Sequence, residues 1–171
     1  MKATFSRADN PAHVKTLPPP RVWTCSEFAR EKLGFEADEK QRMVLDSTAK
    51  TGILNCSRQW GKSTVMAVKA VHRAWTEEKC LVIVASPSER QSQEFLGQCE
   101  EFAEKLQIKA RGDGRNAISL ACPRRSRIAG KDGRGAGFSA SLALIDEASR
   151  VTDEIYSPLG PMRAATNGAC G

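Results

Sequence analysis

The segment CSRQWGKST (residues 56–64) ends in Gly-Lys-Ser-Thr, which closes the phosphate-binding loop pattern Gly-x-x-x-x-Gly-Lys-[Ser/Thr]. The first glycine of that pattern falls at position 56, where this chain has a cysteine. Apolar residues recur with helical spacing in STVMAVKAVHRAW (63–75), and the short apolar run GILNCS (52–57) precedes the loop. We therefore predict a strand, the loop and a helix in that order, a context that favours a phosphate site over a chance match.

The expected chemistry of the loop follows from its place at the start of a helix. Backbone N–H groups of the turn and the positive end of the helix dipole would face the phosphates of a nucleotide. Lys62 would reach the β- and γ-phosphates, and the hydroxyl of Ser63 would bind Mg²⁺. The predicted nucleotide-binding residues here are those of the loop itself: Ser57, Arg58, Gln59, Trp60, Gly61, Lys62, Ser63 and Thr64.

A second motif, SLALIDEA (141–148), is an apolar run, predicted to be a strand, that ends in two acids. Open α/β sheets bind their ligands beyond the carboxyl ends of the strands, so this position suits a metal site. Asp146 would hold Mg²⁺ directly or through water, and Glu147 would polarise an attacking water as a general base. A water-activating glutamate favours hydrolysis of the terminal phosphate over its transfer to a metabolite. The alternative is a strand that simply ends in polar residues.

The segments between these two motifs continue the alternation of strands and helices. The uninterrupted apolar run in KCLVIVASP (79–87) predicts a strand covered on both faces. SERQSQEFLGQCEEFAEKLQ (88–107) is predicted to be a long helix, and AISLACP and SRIAG, within 117–130, are predicted to be two short strands. This order predicts an α/β doubly wound fold with a mostly parallel sheet.

The N-terminal part of the chain precedes this alternation. Residues 1–24 contain a run of three prolines and no apolar periodicity, so we predict a flexible arm there and an ATPase-type domain over 25–171. One helix is predicted in SEFAREKLG, with Ser26 as its N-cap and Gly34 at its end. A second short helix is predicted in DEKQRMVLDSTAK (38–50).

The 171-residue chain has a formal net charge of +6, which indicates an anionic partner such as nucleic acid or a nucleotide. The stretch ACPRRSRIAGKDGRGAG (121–137) is strongly basic, with Asp132 as its single acid; both a solvated basic hairpin and an anion-facing surface remain open. No apolar run approaches the roughly 20 residues that span a bilayer, and the N-terminus has no secretory signal, so we expect a cytoplasmic protein with no membrane partner. The six cysteines form no CxxC pair, which favours free thiols over a metal site.

Several segments together resemble a known family, the N-terminal ATPase domain of the large terminase subunit of tailed bacteriophages and prophages. The loop SRQWGKST resembles the deviant Walker A of that family, in which an Arg-Gln pair precedes x-Gly-Lys-[Ser/Thr], and LIDEAS resembles its Walker B. FEADEKQRMVL (35–45) is similar to the segment whose glutamine contacts adenine, and ASPSERQSQEF (85–95) is similar to the segment that follows the Walker A helix. The resemblance covers roughly residues 33–171.

The resemblance implies a P-loop NTPase of the ASCE type, a three-layer α/β sandwich that binds ATP and Mg²⁺. Gln41 inherits the adenine contact, and Arg58 becomes a candidate sensor of the γ-phosphate. Arg134, in an Arg-Gly step that the family also carries, is a candidate arginine finger acting on a neighbouring subunit's ATP; a plain basic loop residue is the open alternative. The predicted catalytic residues are thus Glu147, Arg58 and Arg134, and the predicted metal-binding residues are Ser63 and Asp146.

The function implied by the resemblance is that of an ATPase motor that drives double-stranded DNA into a preformed capsid. The motor would work as a homo-oligomeric ring, a pentamer, docked on the portal protein and assisted by the small terminase subunit in the bacterial host cytoplasm. In that family a coupling strand and a C-terminal nuclease domain follow a segment like PMRAATNGACG (161–171). We therefore expect this chain to hold only the ATPase part, incomplete at its C-terminal end and without nuclease activity.

Two other functions remain open on the sequence. A helicase-like nucleic-acid translocase also uses a glutamine, a Walker A loop and an Asp-Glu pair, but helicases usually show Gly-x-Gly-Lys-Thr and Asp-Glu-x-His or Asp-Glu-x-Asp. Here the loop is RQWGKS and the two acids are followed by Ala-Ser, which favours the terminase. A degenerate prophage remnant that no longer hydrolyses ATP is the second alternative.

Overall fold

The computed structural model describes residues 22–57, 59–112, 117–120, 126–131, 140–151 and 169–170. The helices are α1 (Cys25–Leu33), α2 (Glu39–Asp46), α3 (Lys62–Thr76) and α4 (Glu89–Lys105), and a short 3₁₀ helix spans Ala148–Arg150. The strands are β1 (Leu81–Ala85), β2 (Ala110–Gly112), β3 (Ala117–Leu120), β4 (Arg127–Lys131), β5 (Leu142–Ile145) and β6 (Ala169–Cys170). Most of the predicted N-terminal arm lies outside the described residues.

The strands form one sheet in the order β2-β3-β4-β1-β5-β6. β1 runs parallel to both β4 and β5, and β5 runs parallel to β6. β3 pairs antiparallel with β2 and with β4, so the antiparallel strands lie together at one edge. Parallel pairing at the centre places the carboxyl ends of β1 and β5 side by side, with Ala85 opposite Ile145. The predicted α/β class with a mostly parallel sheet is confirmed.

The core follows from the apolar patterns of α3, α4 and the central strands. Val82 and Val84 of β1 face the large cluster that includes Val65 and Val68 of α3, and these four side chains are fully buried. The alternate residues of β1, among them Ile83, lie on the other face of the sheet in a second, smaller cluster. β1 is therefore buried on both faces, as its uninterrupted apolar run predicts.

Side-chain caps fix the two N-terminal helices. Thr24, rather than the predicted Ser26, caps α1, because its side chain accepts from the backbone N–H of Glu27 while the Glu27 carboxylate accepts from the N–H of Thr24. Gly34 ends α1 in the left-handed conformation at φ 64°, as predicted. The second predicted helix is shorter than expected and ends at Asp46.

The predicted strand over residues 52–57 is wrong. The structure gives these residues no strand conformation, and the side chain of Ile53 is 93% exposed. A strand is stable only when its N–H and C=O groups bond to a neighbouring strand, and no strand among the described residues pairs with this segment. The short apolar run therefore leads into the loop without forming a strand. No described helix is both long and apolar enough to cross a membrane.

Candidate functional site

The loop before α3 makes a tight turn in the left-handed region of backbone conformation. Gln59 has φ 65° and Gly61 has φ 85°, and Gly61 is the N-cap residue of α3. Glycine adopts this conformation without steric cost, whereas Gln59 adopts it with some strain. Because Gly61 has no side chain, no N-cap side chain accepts a hydrogen bond from the first N–H groups of α3. A helix start of this kind suits an anion.

Gln41 of α2 reaches this turn from the side. Its Nε2 donates a hydrogen bond of 2.8 Å to the backbone carbonyl of Trp60, and an added Cβ at Gly61 would lie 3.3 Å from the same nitrogen. Its Oε1 accepts from the backbone N–H of Asp38 at 3.0 Å as part of the cap of α2. The structure thus brings the predicted adenine-binding glutamine into direct contact with the loop.

Lys62 and Asp146, the predicted phosphate and metal residues, form an ion pair. The distance between Lys62 Nζ and Asp146 Oδ1 is 2.7 Å, and the two side chains are 32% and 17% exposed. Asp146 follows the last residue of β5, and its backbone N–H donates to the carbonyl of Ala85 at the end of β1. The parallel pairing of β1 and β5 therefore fixes this carboxylate opposite the start of α3.

Glu147, the predicted general base, has a left-handed backbone at φ 47° and ψ 50°. Its backbone N–H donates to Asp146 Oδ1 at 2.9 Å, and its carboxylate lies 3.2 Å from a guanidinium nitrogen of Arg150. A non-glycine residue in this conformation is uncommon and is found more often at functional sites than elsewhere.

A cavity of about 530 Å³ lies between the start of α3, the end of β5 and one face of α4. Lys62, Ser63, Asp146 and Glu147 line it, so four of the predicted site residues share one space. α4 contributes polar residues at helical spacing to the same wall: Gln91, Glu94, Gln98 and Glu101.

No residue of α4 is among the site residues predicted from the sequence. Gln98 Nε2 donates to Thr64 Oγ1 at 3.0 Å, which joins α4 to the first turn of α3. The signal was present in the sequence, because Gln91, Glu94, Gln98 and Glu101 are separated by three or four residues and so share one face of a helix. A polar face on a helix is usually a solvated face, so the spacing alone could not single out this one.

The chemistry of the cavity fits a divalent cation together with a polyphosphate. Among its described lining residues four are carboxylates and Lys62 is the single cation, so a polyphosphate alone would meet a net negative wall. The hydroxyl of Ser63 and the carboxylate of Asp146 are oxygen ligands, which Mg²⁺ prefers.

The remaining predicted residues are less informative. Ser57 and Gln59 are exposed, and Trp60 and Thr64 are partly buried. Arg58 and Arg134 lie outside the described residues, as does most of the basic stretch 121–137. Cys25, Cys80 and Cys99 are buried free thiols, and Cys56 is a partly buried one.

Residues 53–159 match the family described as terminase large subunit, T4likevirus-type, N-terminal. This chain belongs to that family. The match includes both the loop and the Asp-Glu pair, and it confirms the resemblance on which the expected function rests. Among curated protein sequences, none matches this chain.

Solved structures of similar proteins support the fold. The large terminase ATPase domain of Thermus phage P74-26 is 21% identical with a TM-score of 0.73, and the match covers 87% of this chain and 68% of that one. The large terminase of bacteriophage HK97 is 15% identical with a TM-score of 0.74, over 86% of this chain and 36% of that one. A large terminase from a thermophilic bacteriophage, solved in complex with ADP, is 10% identical with a TM-score of 0.56, over 67% of this chain and 31% of that one. The fold of this chain is that of terminase ATPase domains, a P-loop α/β fold.

Proposed function

We propose that this chain binds and hydrolyses ATP as the motor domain of a terminase large subunit, which drives double-stranded DNA into a viral prohead. The observation that carries the proposal is the 2.7 Å contact between Lys62 and Asp146 in a cavity that also holds Ser63 and Glu147. Family membership supports the assignment, because the matched residues 53–159 contain all four. Partner proteins and DNA are part of the proposal: a ring of identical subunits, the portal protein and the small terminase subunit.

Each described side chain would have a separate role, which follows from its position in the cavity. Lys62 would contact the β- and γ-phosphates, and the first N–H groups of α3 would donate to them. Ser63 and Asp146 would hold Mg²⁺, which when bound neutralises charge on the transferring phosphoryl group. Glu147 would accept a proton from the attacking water.

The roles proposed for Arg58 and Arg134 rest on the family resemblance alone. Arg58, inside the loop, would sense the γ-phosphate, and Arg134 would act as an arginine finger on the ATP of a neighbouring subunit. Residues 25–171 would form the ATPase domain and residues 1–24 its flexible arm.

The test compares ATP binding by the wild type with that by Lys62→Ala, using a fluorescent ATP analogue with Mg²⁺. We expect Lys62→Ala to weaken binding at least tenfold, because no other cation lines the described cavity. Lys109→Ala is the matched control, since Lys109 is exposed and lies outside the cavity lining. Equal binding by the wild type and Lys62→Ala would refute the assignment of the loop. Phosphate release by the wild type separates a hydrolase from a domain that only binds ATP.

A further inference from the structure

Ser86 is a buried serine next to the carboxyl end of the central strand β1. Its side chain is 3% exposed, and its hydroxyl makes no hydrogen bond to any protein group that the structure describes. A buried hydroxyl without a partner costs free energy, so such groups are rare in native proteins and call for an explanation. Ser86 directly follows Ala85, the last residue of β1, and therefore lies at the same edge of the sheet as the candidate site.

The register of the sheet places Ser86 beside Asp146. Ala85 pairs with Ile145 across the parallel strands β1 and β5, and the backbone N–H of Asp146 donates to the carbonyl of Ala85 at 2.9 Å. The next pair in this register is Ser86 with Asp146. Neighbouring strands lie about 4.8 Å apart, a separation that a hydroxyl and a carboxylate on one face can bridge with a hydrogen bond.

The side chains of Ser86 and Asp146 lie on the same face of the sheet. Successive side chains along a strand point to opposite faces. Val84 of β1 and Leu144 of β5 both belong to the large core cluster on the side of α3, and Ser86 and Asp146 come two residues after them. The ion pair of Asp146 with Lys62, the first residue of α3, agrees with this placement.

The carboxylate of Asp146 loses a donor when a nucleotide binds. In the structure its Oδ1 accepts from Lys62 Nζ at 2.7 Å and from the backbone N–H of Glu147 at 2.9 Å. A triphosphate that draws Lys62 away removes the charged donor. A carboxylate that is to bind a cation is oriented by hydrogen bonds from neighbouring groups. The Ser86 hydroxyl, which is unused in this state, can supply the missing bond.

We infer that Ser86 is a positioning residue for Asp146, whose carboxylate accepts from the Ser86 hydroxyl once a bound triphosphate has drawn Lys62 away. The inference rests on the proposed function, because it assigns a role within the same nucleotide site. Since Ser86 is buried, its hydroxyl acts through Asp146 and not on the nucleotide itself.

The deciding variant is Ser86→Ala, which removes the donor and leaves the ion pair of Lys62 with Asp146 in place. Binding of a fluorescent ATP analogue is titrated first in EDTA. We expect Ser86→Ala to weaken binding about tenfold, which corresponds to the loss of one hydrogen bond to a charged group. Titration of Mg²⁺ at fixed analogue should then show a half-maximal Mg²⁺ concentration that is raised roughly tenfold, because the carboxylate is no longer oriented.

A double-mutant cycle with Asp146→Ala tests whether Ser86 acts through Asp146. Asp146→Ala removes the acceptor, so adding Ser86→Ala to it should change analogue binding in EDTA by less than about twofold. Ser86→Cys nearly keeps the shape of the serine but offers only a weak donor, so it should resemble Ser86→Ala. That comparison separates loss of the hydrogen bond from a change in packing.

Ser92→Ala is the matched control. Ser92 of α4 is also a buried serine, 5% exposed, whose hydroxyl has no partner among the described protein groups, but it is not in register with Asp146. Both alanine variants should have a melting temperature equal to or above that of the wild type, because each removes an unpaired buried hydroxyl. Only Ser86→Ala should weaken binding of the analogue and shift its dependence on Mg²⁺.

Three results would overturn the inference and leave the proposed function intact. The first is unchanged binding and an unchanged Mg²⁺ dependence in Ser86→Ala. The second is an equal loss from Ser86→Ala with and without Asp146, since the hydroxyl would then act elsewhere. The third is a lower melting temperature in Ser86→Ala, which would show that the hydroxyl is already bonded in the free protein. If the wild type binds no analogue, the proposed function fails together with the inference.

Discussion

Lys62 Nζ lies 2.7 Å from Asp146 Oδ1, so the predicted phosphate ligand and the predicted metal ligand neutralise each other. A triphosphate has to compete with Asp146 for the lysine, and a divalent cation has to compete with Lys62 for the carboxylate. Each ligand therefore releases the residue that the other needs. This contact predicts that ATP and Mg²⁺ bind cooperatively, since binding of one lowers the cost of binding the other.

Asp146→Asn tests that coupling. In buffer with EDTA the variant should bind ATP as tightly as the wild type or up to about fivefold more tightly, because Lys62 is freed from an ion pair of modest strength. Added Mg²⁺ should strengthen ATP binding by the wild type and have little effect on the variant. Titration of a fluorescent ATP analogue with and without EDTA measures both effects.

Glu101→Gln is the control for Asp146→Asn, since Glu101 lines the same cavity but is not the residue that forms the observed ion pair with Lys62. It removes one negative charge but should keep the dependence on Mg²⁺. Weaker binding of ATP by Asp146→Asn in EDTA would contradict the competition between Asp146 and the phosphates.

Glu147→Gln should retain nucleotide binding and lose hydrolysis. Loss of a general base lowers the turnover rate by about 10²–10⁴-fold, whereas the dissociation constant for ATP should stay within about twofold. Phosphate release and calorimetric titration measure the two quantities separately. Arg150→Gln is the matched variant, because it removes the ion pair with Glu147 at 3.2 Å but keeps the carboxylate. Turnover that survives in Glu147→Gln would remove Glu147 from this role.

Local patterns in the sequence were enough to predict the helix after the loop, the buried strands and the Asp-Glu pair at the end of β5. These features depend on residues that are close along the chain, such as the spacing of Val65 and Val68 or the glycine that ends α1. The strand predicted over 52–57 failed for the opposite reason. Its stability depends on a neighbouring strand, and an apolar run contains no information on whether that neighbour is present.

The contacts between the site residues could not be predicted from the sequence either. The hydrogen bond between Gln98 and Thr64 joins residues that are 34 positions apart, and the ion pair of Lys62 with Asp146 depends on the parallel pairing of β1 with β5. Spacing could place each residue on a helix or at the end of a strand. The distances between them are set by how α3 and α4 pack on the sheet.

His72 should make the domain less stable in mild acid. Burial lowers the pKa of His72, with smaller lowering effects from Arg73 and Lys69, while the hydrogen bond to the Trp23 carbonyl and the charge of Asp46 raise it. The unfolded chain therefore binds a proton more readily than the folded one. Stability is fully present above the unfolded pKa of about 6.5 and is lost as the pH falls toward the lower folded pKa.

The measurement for His72 is the urea midpoint at several pH values between 5 and 7.5. The wild type should lose stability across this range, and His72→Gln should show a smaller loss because it has no imidazole to protonate. His72 also packs edge-on against Phe28 with ring centroids 5.1 Å apart, so His72→Gln should be less stable at pH 7.5. If the urea midpoint changes equally with pH in the wild type and in His72→Gln, groups other than His72 cause the acid sensitivity.

The buried thiols should be inert in the folded chain. Burial raises the pKa of Cys25 to about 12 and that of Cys80 to about 11, and it also raises the pKa of Cys99. Because the thiolate is the reactive form, iodoacetamide at pH 8 should modify partly buried Cys56 well before these three. Peptide mass spectrometry after timed labelling measures the order, and labelling in strong denaturant should make the rates similar. Cys99 reacting as fast as Cys56 under native conditions would show that α4 opens readily, which its packing in the core argues against.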